Sequence, residues 1–166
     1  MIQVYTGEGK GKTTAALGLA LRATGAKLRV YIAQFIKSRS YSELKALRRM
    51  KNIKVEQFGR GCFIKTPGQA DKDLARRGLE KIRTVIKENS YDIIILDEIN
   101  VALHLGLVES GEVLELVKLC PADTEIILTG RDAPEEIIAC ADLVSEIKEV
   151  KHYFKKGVKA RRGIEF

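Results

Sequence analysis

The chain has 166 residues, 45% of them hydrophobic and 31% charged, with a formal net charge of +7. That length and balance describe one soluble globular domain, residues 1–166, and exclude a disordered or fibrous chain. No apolar run approaches the roughly eighteen residues of a membrane span, and no charged-then-apolar leader precedes Ile2, so a cytoplasmic protein without a membrane partner is expected.

In chain order, IQVYT (2–6) reads as a strand and TTAALGLALRATG (13–25) as a helix closed by Gly25 as its C-terminal cap. LRVYIAQF (28–35) is a second strand, and YSELKALRRM (41–50) has helical spacing. IKVEQF (53–58) is a third strand, followed by a glycine-rich loop from Gly59 to Gln69 and a helix from about Ala70 to Asn89. YDIIILDE (91–98) is nearly continuous in branched apolar residues, as a strand buried on both faces must be. TEIILTG (124–130) and DLVSEIK (142–148) are two more strands, each preceded by helical segments. Strand and helix alternating in this way predict a three-layer α/β fold, a mostly parallel sheet with helices on both faces.

Ligands of such sheets bind beyond the carboxyl ends of the strands. Five segments lie there: Gly7–Thr14, Gln34–Ser40, Gly59–Gln69, Asp97–Asn100 and Thr129–Asp132. The first, in TGEGKGKTT, is a phosphate-binding loop with its first glycine displaced, because Thr6 stands where Gly-x-x-x-x-Gly-Lys-Thr requires glycine and Gly7 comes one place late. Its glycines allow successive N–H groups to turn toward phosphate oxygens, Lys12 reaches the phosphates as a point charge, and the Thr13 hydroxyl suits Mg²⁺. The buried strand ending in Asp97-Glu98 supplies the matching acids, either of which can serve the metal.

Protein-borne nucleophilic chemistry is not signalled. Of the two histidines, His152 lies in the tail and His104 falls inside an apolar helical run, which makes it structural. Cys62, Cys120 and Cys140 are widely spaced and odd in number, so they read as buried or half-buried thiols rather than disulfides or a zinc site. The segment from about 148 to 166 carries seven Lys/Arg against two acids, which is either a solvated tail or a second face for an anion.

Taken together, TGEGKGKTTAALGLALRA, AQFIK, DIIILDEIN, LTGR, ADLVSEIKEVKH and the ending GVKARRGIEF resemble the P-loop family of corrinoid adenosyltransferases over nearly the whole chain. The resemblance implies a RecA-like P-loop fold and an enzyme in which Co(I) of a reduced corrinoid attacks C5′ of ATP and expels tripolyphosphate. It also implies ATP as co-substrate, Mg²⁺, a homodimer, and an electron-donor protein that delivers Co(I). No nucleic-acid partner is expected. By matching position, Gly7, Glu8, Gly9, Lys10, Gly11, Lys12, Thr13 and Thr14 would hold the triphosphate. Lys12, Thr13 and Glu98 would carry the chemistry, with Thr13 and Glu98 as metal ligands and Asp97 behind them. ATP in the family lies reversed in its loop, which would explain the displaced glycine. Corrinoid would be met by Gly61, Cys62, Phe63, Ile64 and Arg131.

The chain departs from the family in that loop, where members carry a Phe and a Trp. It has no tryptophan, and the matching positions are Cys62 and Ile64, with Phe63 between them. Two rival functions use the same phosphate loop: a nucleotide or nucleoside kinase, and a RecA-like ATPase that binds nucleic acid through the basic tail. Neither accounts for LTGR followed by the basic carboxy-terminal segment as well as the adenosyltransferase does.

Overall fold

A computed structural model describes residues 1–39, 41–61, 64 and 66–166. The strands β1 (Ile2–Thr6), β2 (Val30–Lys37), β3 (Ile53–Gly61), β4 (Ile93–Asp97), β5 (Glu125–Thr129) and β6 (Leu143–Glu146) form one sheet in the order β3-β2-β4-β5-β1-β6. Every pairing is parallel. The helices that cover it are α1 (Lys12–Gly25), α2 (Ser42–Leu47), α3 (Gln69–Glu88), α4 (Ile99–His104), α5 (Ser110–Leu119) and α6 (Glu135–Ala139).

The alternation of side chains along β4 explains the layering. Ile94 and Leu96 join the core cluster beneath α3, α4 and α5, whereas Ile93 and Ile95 join the one beneath α1 and α2. Because successive residues of a strand face opposite ways, an unbroken Ile-Ile-Ile-Leu run is stable only between two covered faces. Helix α1 meets the sheet through Ala16, Ala20 and Ala23, small residues at helical spacing, while α3 buries Ala75, Leu79, Ile82 and Ile86. Among the described residues, no helix is long and apolar enough to cross a membrane.

Two local expectations are corrected. Gly25 is not the cap of α1: the helix runs through it, and the chain reverses at Lys27, whose φ is 64°. The Lys27 N–H donates to Thr24 and the Leu28 N–H to Ala23, a Schellman closure that leaves lysine where glycine is usual. The segment Gly59-Arg60-Gly61 belongs to β3 rather than to a loop. Its glycine signal has a packing cause in the neighbouring strand, where the backbone of Ile36 would lie 2.0 Å from a Cβ at residue 59.

Candidate functional site

Strand β1 delivers the glycine loop to the start of α1, as the sequence requires of a phosphate site. Lys12 is buried, and its Nζ donates to the carbonyls of Gly7 at 2.5 Å and Gly9 at 2.8 Å. Burial, with Arg131 nearby, lowers its pKa from the ordinary lysine value. Thr6 ends β1 as a buried residue whose hydroxyl accepts from the Ala133 N–H at 3.4 Å.

The displaced glycine has a structural cause. Ile147, just past β6, lies against the loop: its N–H donates to Thr6 and its carbonyl accepts from the Gly9 N–H at 2.7 Å. A Cβ on residue 7 would fall 2.6 Å from that carbonyl, and one on residue 9 would fall 2.7 Å from it. Gly7 also has a φ of 94°. Glycine is therefore demanded where the loop touches the backbone of Ile147, one residue later than in the usual pattern.

Facing the loop, Asp97 is 1% exposed and accepts four hydrogen bonds. Thr13 and Thr129 donate to Oδ1, each at 2.8 Å, and Gln34 at 3.0 Å and Lys37 at 2.8 Å donate to Oδ2. Four donors fill lone-pair sites on both carboxyl oxygens and fix their orientation. Glu98 sits beside it with φ 63°, its N–H donating to Thr129 and its Oε1 3.4 Å from Lys37 Nζ. Burial raises the Glu98 pKa against the opposing pull of Lys37, and the charge of Asp97 adds to the rise. For Lys37 the balance goes the other way: burial disfavours its charge, but Asp97 and Glu98 together hold its pKa above the usual range. Although Glu98 precedes α4, its side chain makes no capping hydrogen bond, so the acid is not explained as a helix cap.

The basic carboxy-terminal segment packs on the same loop. Lys10 Nζ donates to Tyr153 Oη at 2.8 Å, to the Ile164 carbonyl at 3.2 Å and to Glu165 Oε1 at 2.9 Å. Glu165 also accepts from Tyr153 and from both the backbone and the guanidinium of Arg161, which lies over the Tyr153 ring. The Phe166 carbonyl accepts from Ser42 at the start of α2. The tail thus spans from the glycine loop to the segment after β2.

Of the residues expected from the sequence, Lys12, Thr13, Asp97 and Glu98 converge at one place. Arg131 is beside the loop, 3.3 Å from Glu8 Oε2. Gly61 ends β3, separated from β5 by β2 and β4, and Ile64 packs against the core cluster that includes Phe35 and Leu79. Cys62 and Phe63 lie outside the described residues. His104 is exposed at the end of α4, 3.9 Å from Asp132. Cys120 and Cys140 are half-buried, as expected. Gln34, Lys37, Thr129, Ile147, Tyr153 and Glu165 were not singled out. Gln34, Lys37 and Thr129 do fall within the segments Gln34–Ser40 and Thr129–Asp132 marked for inspection, but no role was drawn for them there.

The oxygens of Thr13, Asp97 and Glu98 are hard donors of the kind Mg²⁺ takes. Among the described residues no group of three or more His, Cys, Asp or Glu could hold a metal ion. Such a donor set suits an ion that keeps waters and completes its shell with substrate phosphates.

A family model described as ATP:corrinoid adenosyltransferase BtuR/CobO/CobP matches residues 1–166. Corrinoid adenosyltransferases of three organisms are similar to the chain along all of its length. That of Sinorhizobium sp is 36% identical over 171 residues, covering 100% of this chain and 80% of the relative. That of Pseudomonas aeruginosa is 34% identical over 169 residues, with 100% and 83% covered. That of Escherichia coli K12 is 33% identical over 167 residues, with 100% and 85% covered. With the glycine loop, its lysine and the paired acids brought together as described, and the match running from first residue to last, this chain belongs to the ATP:corrinoid adenosyltransferase family.

Proposed function

We propose that the protein transfers the 5′-deoxyadenosyl group of ATP to the Co(I) centre of a reduced corrinoid and releases tripolyphosphate. A lone pair on cobalt forms the Co–C5′ bond, the C5′–O bond breaks, and its electron pair leaves on the triphosphate. Cobalt is thereby oxidised from Co(I) to Co(III). Since the substrate itself is the nucleophile, the protein needs no general base. Its work is to position the reactants, exclude water and stabilise the departing charge.

The observation that carries this reading is the convergence of Lys12 and Thr13 with Asp97 and Glu98 at the glycine loop, in a chain of this family. Gly7, Glu8, Gly9, Lys10, Gly11, Lys12, Thr13 and Thr14 would line the triphosphate, with the positive end of α1 behind them. Thr13 and Glu98 would hold Mg²⁺, with Asp97 orienting Thr13. When bound, the metal would neutralise charge on the leaving group. The corrinoid would approach over Gly61, Cys62, Phe63 and Ile64, with Arg131 at the loop side. In the same reading the chain is a single cytoplasmic domain that works as a homodimer and receives Co(I) from an electron-donor protein.

Phosphorus NMR of a completed reaction with ATP, Mg²⁺ and chemically reduced corrinoid tests the assignment. Intact tripolyphosphate should form one for one with a light-sensitive alkyl-cobalt product. Lys12→Ala should slow its formation by about a hundredfold or more, the cost of removing a preorganised charge-stabilising donor. ADP with phosphate, or turnover indifferent to corrinoid, would return the protein to the kinase or ATPase class.

A further inference from the structure

Strand β2 does not end regularly. Its register against β3 shifts between Ile36 and Lys37. Phe35 and Ile36, which a regular strand would send to opposite faces, both join the core cluster that α3 covers. Ile36 has a φ of 67°, a left-handed conformation that β-branched residues avoid. Its register partner is Gly59, where a Cβ would lie 2.0 Å from the carbonyl carbon and oxygen of Ile36. A strained residue and an obligatory glycine on the next strand together maintain this bulge. Bulges of this kind re-aim a side chain, and strain of this kind gathers at functional sites.

The side chain re-aimed is Lys37. It is 16% exposed, with Nζ 2.8 Å from Asp97 Oδ2, 3.4 Å from Glu98 Oε1 and 3.3 Å from Thr13 Oγ1. It touches all three groups read above as the metal side of the site. A fixed ammonium there offsets negative charge on the acidic pair and occupies an Asp97 oxygen that a cation would otherwise meet.

We propose that Lys37 is a positioning residue that couples metal binding to nucleotide binding: it keeps the Asp97–Glu98 pair from taking a free divalent cation, so the cation enters with the triphosphate of ATP. The triphosphate brings enough negative charge to outweigh the ammonium, and by linkage the metal and the nucleotide raise each other's affinity. This rests on the assignment of Thr13 and Glu98 to Mg²⁺.

Mn²⁺ binding to the whole protein, read by electron paramagnetic resonance with and without ATP, tests the coupling. Lys37→Met should bind Mn²⁺ at least about tenfold more tightly without nucleotide, because a unit positive charge within a few ångströms has been removed. The gain in Mn²⁺ affinity on adding ATP should shrink accordingly. Lys37→Arg should behave as the wild type. A purely structural lysine would give looser binding when lost, never tighter, and a melting curve identifies a variant that fails to fold. Should Lys37→Met be unstable, Lys37→Gln makes the same measurement. Unchanged or weaker nucleotide-free binding in a folded variant overturns the proposal. If that happens while Glu98→Ala abolishes Mn²⁺–ATP binding, the metal assignment stands and only the coupling falls. If Glu98→Ala leaves Mn²⁺–ATP binding intact, the metal assignment falls and the coupling with it.

Discussion

Thr13 and Asp97, 84 positions apart in sequence, are joined by a 2.8 Å hydrogen bond in which the hydroxyl donates to Oδ1. This bond ties the start of α1 to the end of β4 and, with Lys37 Nζ 3.3 Å from the same hydroxyl, fixes where the threonine oxygen sits. Asp97 accepts from four donors, whereas the Glu98 carboxylate meets Lys37 at 3.4 Å and is 25% exposed on its side chain. Glu98→Ala should therefore raise the Mg²⁺ concentration for half-maximal turnover and leave the melting temperature nearly unchanged. Asp97→Asn should do the reverse in stability, since its amide would face the donors Gln34 and Lys37. Leaving those donors unmatched costs roughly 1–3 kcal/mol, a fall of about 3–10 °C for a chain of this size. Magnesium titrations and melting curves of both variants check this. A larger magnesium effect in Asp97→Asn would exchange the two roles.

Gly59→Ala should be among the most damaging small substitutions in the sheet. The added methyl would meet Ile36 backbone at 2.0 Å, and backbone cannot step aside as a flexible side chain can. The bulge would have to open, at a cost of about 1–3 kcal/mol or more, and Lys37 would lose its aim. Gly61→Ala is the control, because a Cβ there meets nothing within 4 Å among the described residues. Thermal melts should separate the two, with Gly61→Ala within about 2 °C of the wild type. Equal melting points would show that the bulge is not held by Gly59.

Acid should release the carboxy-terminal segment. Glu165 is held well below the usual carboxylate range, first by hydrogen bonds from Arg161, then by those from Tyr153 and Lys10. A carboxylate depressed in the folded state adds stability at pH above its unfolded value, about 4.3, and gives it up as pH falls through the lower folded value. Amide exchange at Ile164 and Glu165, whose N–H groups donate to the Arg161 carbonyl, should accordingly be slow at neutral pH and quicken, beyond its intrinsic pH dependence, below about pH 4. In Glu165→Gln it should be fast at neutral pH and lack that extra acid step. Protection equal to that of the wild type in this variant would place the hold elsewhere, on Ser42 and Phe166.

Much of the architecture was legible because it is written in short-range patterns. The apolar run at β4 announced a strand covered on both faces, and Gly11-Lys12-Thr13 after β1 announced a glycine loop leading into a helix. The residues that escaped are those whose meaning lies in distant partners. Lys37 finds Asp97 60 positions away, and Lys10 finds Glu165 155 positions away. No local spacing encodes such a meeting. Glycine misled twice for a related reason. Gly25 read as a helix cap and Gly59 as a loop signal, since glycine is legible as punctuation. At residue 59 it makes room for a neighbouring strand, and at α1 a lysine takes the left-handed place two residues further on.

The contact of Ile147 with Gly7 and Gly9 also bears on the order in which the molecule comes into being. Strand β1 is made before the other five strands of the sheet, yet it lies between β5 and β6, and its loop closes on the backbone of Ile147, which follows the last of them. Pairings so far apart along the chain form late and slowly. A nascent chain that stops short of Ile147 has the whole glycine motif but not the surface that shapes it. The shape of the glycine loop is thus deferred until the last strand of the sheet has been made, and the strand made first is the last to gain both its neighbours.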